Sequence, residues 1–217
     1  MSGISLKRSN VAAYFSRQVR RVVVLRFCSP RIPNDNLPKA NPNAVPLPRH
    51  VAFLRGVSPM NASMPELKRA FELAGFSEVR TLLSSGNVVF SDRARSAQVL
   101  RQRAERAMQT HLDRTFITFV RSSEYLQTML EADPFGEFDL PPGAKCVVAF
   151  LRQPCARQLS LPITLDDARI LKVVGSEVFV TYVPGPNGPV FMRLLERTFG
   201  TDITTRTIDT VRKCAWA

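Results

Sequence analysis

Val79-Arg80-Thr81-Leu82-Leu83-Ser84-Ser85-Gly86-Asn87-Val88-Val89-Phe90-Ser91 is the stretch that decides the fold. Val79 to Leu83 and Val88 to Ser91 are rich in β-branched and apolar residues, so both read as strands. Ser84 to Asn87 lies between them as a hairpin turn, because glycine and asparagine accept the positive φ that a tight reversal demands. Upstream, His50 to Arg55 is a short apolar strand. Ser63-Met64-Pro65-Glu66 then opens a helix: the Ser63 hydroxyl can accept from a first-turn N–H while Glu66 reaches back, a capping box of about 1 kcal/mol. Leu67, Ala70, Phe71 and Ala74 share one face of that helix, and Gly75 stops it. Downstream, Ala94 to Leu112 reads as a long helix carrying Val99, Leu100, Arg103, Ala104, Ala107 and Met108. Phe116 to Arg121 is a fourth strand. The order is β-α-β-β-α-β, the ferredoxin-like split unit.

A similar order follows. After a short helix around Glu124 to Glu131, Lys145 to Leu151 reads as a strand, and residues 156 to 168 as weakly helical or irregular. Arg169 to Val174 and Glu177 to Val183 form a hairpin about Gly175-Ser176. Phe191 to Phe199 is a helix closed by Gly200, and Asp202 to Arg206 a last strand before a final helix capped by Thr207 or Asp209. Residue-level similarity between the halves is slight, so the repeat is one of architecture. The expected fold class is α+β: two ferredoxin-like units packed together, at 49–122 and 123–217, preceded by an extension at 1–48.

The chain has 217 residues, 45% of them hydrophobic, enough to bury a substantial core. Its formal charge of +12 is unevenly spread: residues 1 to 49 hold nine basic side chains against Asp35 alone, and the other 168 residues carry only +4. Between Pro30 and Pro48, six prolines alternate with asparagines and polar residues, a linker composition. The extension is therefore expected to be disordered, or to begin upstream of the native start, although its arginine-rich, acid-poor opening also suits a transit peptide. Because the basicity sits there and not on a folded face, nucleic acid is a disfavoured partner. Cys28, Cys146, Cys155 and Cys214 have no metal-ligand spacing, and no apolar run approaches membrane-spanning length. A reduced, cytoplasmic setting is expected, with neither membrane nor metal, as monomer or homodimer.

Leu54-Arg55-Gly56, Met64 with Glu66-Leu67, Ala74-Gly75-Phe76, Val79-Arg80-Thr81 and Ser85-Gly86-Asn87-Val88-Val89-Phe90 resemble the first half of the bacterial proteins grouped as domain of unknown function 1697. Asp133-Pro134-Phe135, Val174 to Val180, Leu195-Glu196-Arg197, and Thr204-Thr205-Arg206 through Thr210-Val211 extend the resemblance to about residues 50 to 217. It implies two ferredoxin-like units and a cytoplasmic bacterial protein, and supplies no reaction. The chain departs from the family pattern in three places. Val57 to Ala62 is shorter than the usual loop after the first strand. A Ser-Lys pair is replaced near Gly188-Pro189, and an Asn-Trp-Asn tract reads Thr207-Ile208-Asp209. A site that used that lysine or tryptophan would be altered here.

The candidate ligand-binding residues are Arg55, Ser84, Ser85, Gly86, Asn87, Thr205 and Arg206. Arg55 stands at a strand end, where its planar fork suits phosphate or carboxylate or pairs with a neighbouring acid. Ser84, Ser85, Gly86 and Asn87 offer hydroxyls, an amide and turn N–H groups, or simply make the turn. Arg206 with Thr205 could form a second polar cluster beside the first. No nucleophile elbow, phosphate loop, dinucleotide fingerprint or metal motif is present, so no catalytic residue and no cofactor are expected. His50 and His111 read as surface groups, and Phe53 and Phe90 as core residues and not RNA-stacking ones. The leading functional expectation is a protein that binds a small anionic ligand or nucleotide in a groove between the two units. An enzyme acting on a phosphorylated or acidic metabolite is the first alternative, and nucleic-acid binding through the basic tail the second.

Overall fold

The computed structural model describes residues 46–94, 96–185 and 189–217. The expected disordered extension falls almost wholly outside them. In chain order the elements are β1 (Arg49–Leu54), α1 (Met64–Leu73), β2 (Ser77–Leu82), β3 (Asn87–Ser91), α2 (Ala97–Leu112), β4 (Thr118–Ser122) and α3 (Ser123–Glu131). They continue with β5 (Lys145–Leu151), β6 (Ile163–Leu165), β7 (Ala168–Val174), β8 (Glu177–Tyr182), α4 (Val190–Phe199), β9 (Ile203–Thr207) and α5 (Ile208–Ala215). The strands form two antiparallel sheets, ordered β2-β3-β1-β4 and β6-β7-β8-β5-β9.

Helix starts follow from side-chain caps. Ser63 accepts from the Glu66 N–H while the Glu66 carboxylate accepts from the Ser63 N–H, completing the capping box that opens α1. Ser96, Ser122 and Thr207 cap α2, α3 and α5 from one side only, each accepting a single backbone N–H.

Alternation along the central strands sets the layers. In β1, Val51 and Phe53 face one way, joining Val89 and Phe119 in a core shared with Val148, Phe150 and Phe179 of the second sheet. Ala52 and Leu54 face the other way, packing with Val88, Phe90 and Val120 against Leu67, Phe71, Leu100 and Met108 of α1 and α2. In β5, Val148 and Phe150 join the shared core, while Val147, Ala149 and Leu151 pack with Leu194 and Leu195 of α4. Leu126 and Leu130 of α3 and Val211 and Cys214 of α5 close the shared core. Covered on both faces, β1 and β5 are near-continuous apolar runs.

Two expectations need correction. Residues 156–168 follow the irregular of the two expected courses and not the helical one, and they add an unexpected edge strand, β6, which pairs with β7, so the second sheet has five strands. Pro154 and Pro162 lack the N–H that a helix there would need. His50 is not a surface group but 2% exposed, with its ring 5.6 Å from that of Phe90. It shares the face of Ala52 and Leu54, so the packing that buries them buries it too. His111 is exposed, as expected.

Burial holds His50 below its ordinary pKa of 6.5, outweighing the nearby Asp92 carboxylate, which acts in the opposite direction. The unfolded chain therefore takes up a proton near pH 6.5 that the folded protein resists. Stability should be complete above that pH and fall as the pH drops below it. Urea midpoints measured from pH 8 to pH 5 should show this decline, and His50→Gln should flatten it; an identical decline in the variant would assign the effect to other groups.

Candidate functional site

The turn at the end of β2 and the arginine on β9 meet across the interface between the two sheets. The loop spans Leu83 to Gly86, one residue earlier than the sequence suggests, with positive φ at Leu83 and Gly86. Gly86 is required by space as well as by its φ of 70°: a Cβ there would lie 2.7 Å from Val57 Cγ2 and 3.0 Å from Leu54 Cβ. Its carbonyl accepts from the Leu54 N–H at 2.8 Å, tying the loop to the end of β1.

Arg206 reaches into this corner and uses its whole donor set there. Nε donates to Asn87 Oδ1 at 2.5 Å, and Nη1 to Thr204 Oγ1 and the Thr205 carbonyl at 2.9 and 2.7 Å. Nη2 donates to the Leu54 and Ser85 carbonyls, each at 2.8 Å, and more weakly to that of Gly86 at 3.3 Å. A guanidinium has five N–H groups, so none remains for a ligand. Its plane lies 5.5 Å from the Phe53 ring centroid. Desolvation pulls Arg206 down to about 10, still a cation at neutral pH. The fold thus joins Ser85, Gly86, Asn87 and Arg206 in one network. Thr205 flanks it, with its hydroxyl 3.7 Å from Met192 Sδ. Ser84 stays at the exposed tip of the loop. Arg55 pairs with Glu196 of α4 at 3.5 Å, both side chains about a third exposed.

The same arrangement recurs at the opposite corner. Ala52-Phe53-Leu54-Arg55 and Ala149-Phe150-Leu151-Arg152 are identical tetrapeptides ending β1 and β5, and the Phe53 and Phe150 rings stack with centroids 4.4 Å apart. Arg121 on β4 does what Arg206 does on β9. Its Nε donates to Glu177 Oε1 at 2.5 Å, Nη1 to the Val120 carbonyl and Nη2 to the Leu151 carbonyl, both at 2.9 Å. Its guanidinium lies 5.5 Å from the Phe150 centroid. The Leu151 N–H donates to the Ser176 carbonyl at 2.8 Å, matching Leu54 and Gly86. Arg152 pairs with Glu105 of α2 at 2.5 Å, matching Arg55 and Glu196. Glu105 also accepts from the Thr118 N–H.

The corners differ in charge. Asn87 in one is Glu177 in the other, a 2% exposed carboxylate that also accepts from the Tyr125 hydroxyl. Burial and this contact push the Tyr125 phenol well above its ordinary range. Four residues before Glu196, α4 carries Met192; four before Glu105, α2 carries Arg101. At this second corner a cleft of about 510 Å³ opens between Arg101, Arg152, Gln153 and Phe199, and a smaller recess of about 120 Å³ shares Arg101, Arg152 and Gln153 with it. The first turn of α2 and Arg121 line that recess. Arg121 and Arg152 are matched by Glu177 and Glu105, whereas Arg101 has no acidic partner among the described residues. The Nε atoms of Arg101 and Arg152 are buried without an acceptor.

Arg101 and Arg152 escaped the sequence reading. The signal was the repeated Ala-Phe-Leu-Arg, which equates Arg152 with the singled-out Arg55 and leads through Glu105 to Arg101.

A family model described as "Protein of unknown function (DUF1697)" matches residues 47–179. The chain belongs to that family. The matched span contains Arg101, Glu105, Arg121, Arg152 and Glu177, while Phe199 and Arg206 lie beyond it. Among solved structures, a conserved bacterial protein from Streptococcus pneumoniae is similar with a TM-score of 0.57 at 20% identity, over 78% of this chain and 97% of that one. At that identity the likeness speaks to fold alone. No curated protein matches the chain.

Replacing Arg206 with alanine strips hydrogen bonds from several partly buried acceptors at once, and should cost on the order of 3 kcal/mol of unfolding free energy. Arg206→Lys should recover little, because an ammonium cannot reproduce the planar fork. Gly86→Ala should also destabilise, by about 1–3 kcal/mol from strain and overlap with Val57. Chemical denaturation of the three variants measures this; near-wild-type stability in Arg206→Ala would show that the network contributes nothing.

Proposed function

We propose that the protein binds a small anionic ligand in the cleft where α2 meets the end of β5, with Arg101 and Arg152 as the anion-holding residues. The observation that carries this reading is Arg101, a guanidinium with no acidic partner among the described residues, lining the same recess as Arg152. An oxyanion seated between the two guanidinium groups would give that unmatched charge a partner through charge-assisted hydrogen bonds. The first turn of α2 lines the same recess, and its macrodipole favours negative charge there.

In this reading the cluster of Arg55, Ser84, Ser85, Gly86, Asn87, Thr205 and Arg206 fixes the sheets against each other, and the ligand sits at its twin. Each sheet with its helices is taken as a ferredoxin-like unit. The strand order β2-β3-β1-β4, with a helix in each crossover, supports this for the first, and the repeated arginine corner supports it for the second. Binding is preferred to catalysis because Glu105 and Glu177 are both engaged in ion pairs, which leaves Asp202 as the one carboxylate among the residues lining the cleft, without a second carboxylate to work with it.

Thermal denaturation of the full chain with increasing inorganic phosphate tests the proposal. An anion at about 100 times its dissociation constant adds roughly 2.7 kcal/mol, a readily visible rise in Tm. Arg101→Ala should abolish that rise while leaving the unliganded protein within about 0.5 kcal/mol of wild type, since the side chain has no acidic partner to lose. A rise that survives Arg101→Ala would place the anion elsewhere and overturn the assignment.

A further inference from the structure

The two neighbouring compartments at the Arg152 corner differ in character, and the difference bears on the ligand. The recess of about 120 Å³ is polar. Arginines line it from three separate elements, Arg101 of α2, Arg121 of β4 and Arg152 at the end of β5, with Ala97 and Gln98 of the first turn of α2 beside them. Ser96 caps only the Val99 N–H of that turn. A carboxylate presents its oxygens in one plane and suits a single guanidinium fork. Donors converging from three directions match a tetrahedral group, whose oxygens point out of any one plane. The helix terminus and the unbalanced charge of Arg101 both favour a dianion.

The larger compartment, about 510 Å³, falls within the size range of small-molecule sites. Beyond Arg101 and Arg152 its lining is mixed: Leu151, Pro154, Ala156 and Phe199 give it an apolar side, and Arg157 and Asp202 a charged one. Phe199, the last residue of α4, is only partly buried by the packing of its own helix. It can therefore give apolar surface to a ligand without leaving the core. Apolar surface next to a charged recess is what a phosphorylated compound with an apolar or aromatic body would cover. A free inorganic anion would leave that surface wet.

Resting on the anion-site reading above, we infer that the ligand is a small phosphomonoester, its phosphate held by Arg101, Arg152 and the first turn of α2, and its apolar or aromatic body lying against Phe199, Pro154 and Ala156. The corresponding corner at Arg55 is not a second such site, because Met192 replaces the arginine and Arg206 has no donor left.

Isothermal titration of the full chain with inorganic phosphate, phenyl phosphate and benzoate tests this. Phenyl phosphate should bind at least about tenfold more tightly than inorganic phosphate, from the apolar area that its ring covers. Benzoate should bind at least about tenfold more weakly than phenyl phosphate, having the ring without the tetrahedral head. Phe199→Ala should erase most of the ring's advantage while leaving inorganic phosphate unchanged. Ala156→Phe, at an exposed position, should do the same by filling the wider compartment, and guards against a folding defect in the first variant. If inorganic phosphate binds but phenyl phosphate binds no better, the inferred body is wrong and the anion site stands. If benzoate equals phenyl phosphate, the phosphate assignment is wrong. If neither inorganic phosphate nor phenyl phosphate binds, the anion-site reading fails and takes this inference with it.

Discussion

The contact on which the rest of the structure depends is the stacked pair Phe53 and Phe150, with Arg206 lying over the first ring and Arg121 over the second. Each phenylalanine sits at the end of the central strand of its own sheet, and each arginine comes from the strand paired beside the other. The rings are fully buried, which contributes about 1.5–3 kcal/mol apiece, but burial alone does not fix how two sheets face each other. The arginines do. Each reaches across to the last carbonyl of the opposing central strand, Leu54 or Leu151, and to the first side chain of the next strand, Asn87 or Glu177. A slip between the sheets would break both sets at once. Because the acceptors are carbonyls with fixed directions, the clasp is more sensitive to geometry than the hydrophobic contact beneath it.

One substitution makes the two halves of this clasp unequal. Glu177 gives Arg121 a buried counter-ion, whereas Arg206 faces the neutral amide of Asn87 and is drawn down to about 10 by desolvation. Arg206 compensates by collecting carbonyls, which closes its corner around it. Arg121 needs fewer partners, and its corner stays open enough to hold a recess. The helix neighbours carry the contrast further: a thioether faces the closed corner and a guanidinium the open one. The reading of the chain as an anion-binding protein therefore follows from a broken internal symmetry, with one copy of the motif serving packing and the other left with donors to spare.

Much of this was legible in the residues. The Ser63 capping box, the Gly86 turn and the apolar runs were enough to place the first sheet and its helices to within about three residues. The second sheet was read less well. Residues 156–168 combine prolines with weak apolar periodicity, and only the free edge of β7 turns Ile163 to Leu165 into a strand. His50 reads as a polar residue at a strand start, and its burial comes from elements far along the chain. The structure brings most of the candidate residues to one corner, where their partners lie far along the chain. Nothing local tells whether an arginine at a strand end will face solvent, an acid such as Glu196, or a set of carbonyls.

By itself the sequence determined the local elements, because caps, turns and apolar periodicity act within a few residues of one another. It also determined the family, through motifs that recur in order. The tertiary structure alone decided which arginines retain free donors. That property depends on partners such as Asn87 and Arg206, 119 residues apart, or Glu105 and Arg152, 47 apart, which meet only once the two sheets have packed. A guanidinium becomes either a structural clasp or a ligand site according to how many acceptors the folded chain brings to it, and that number is not written in any one segment.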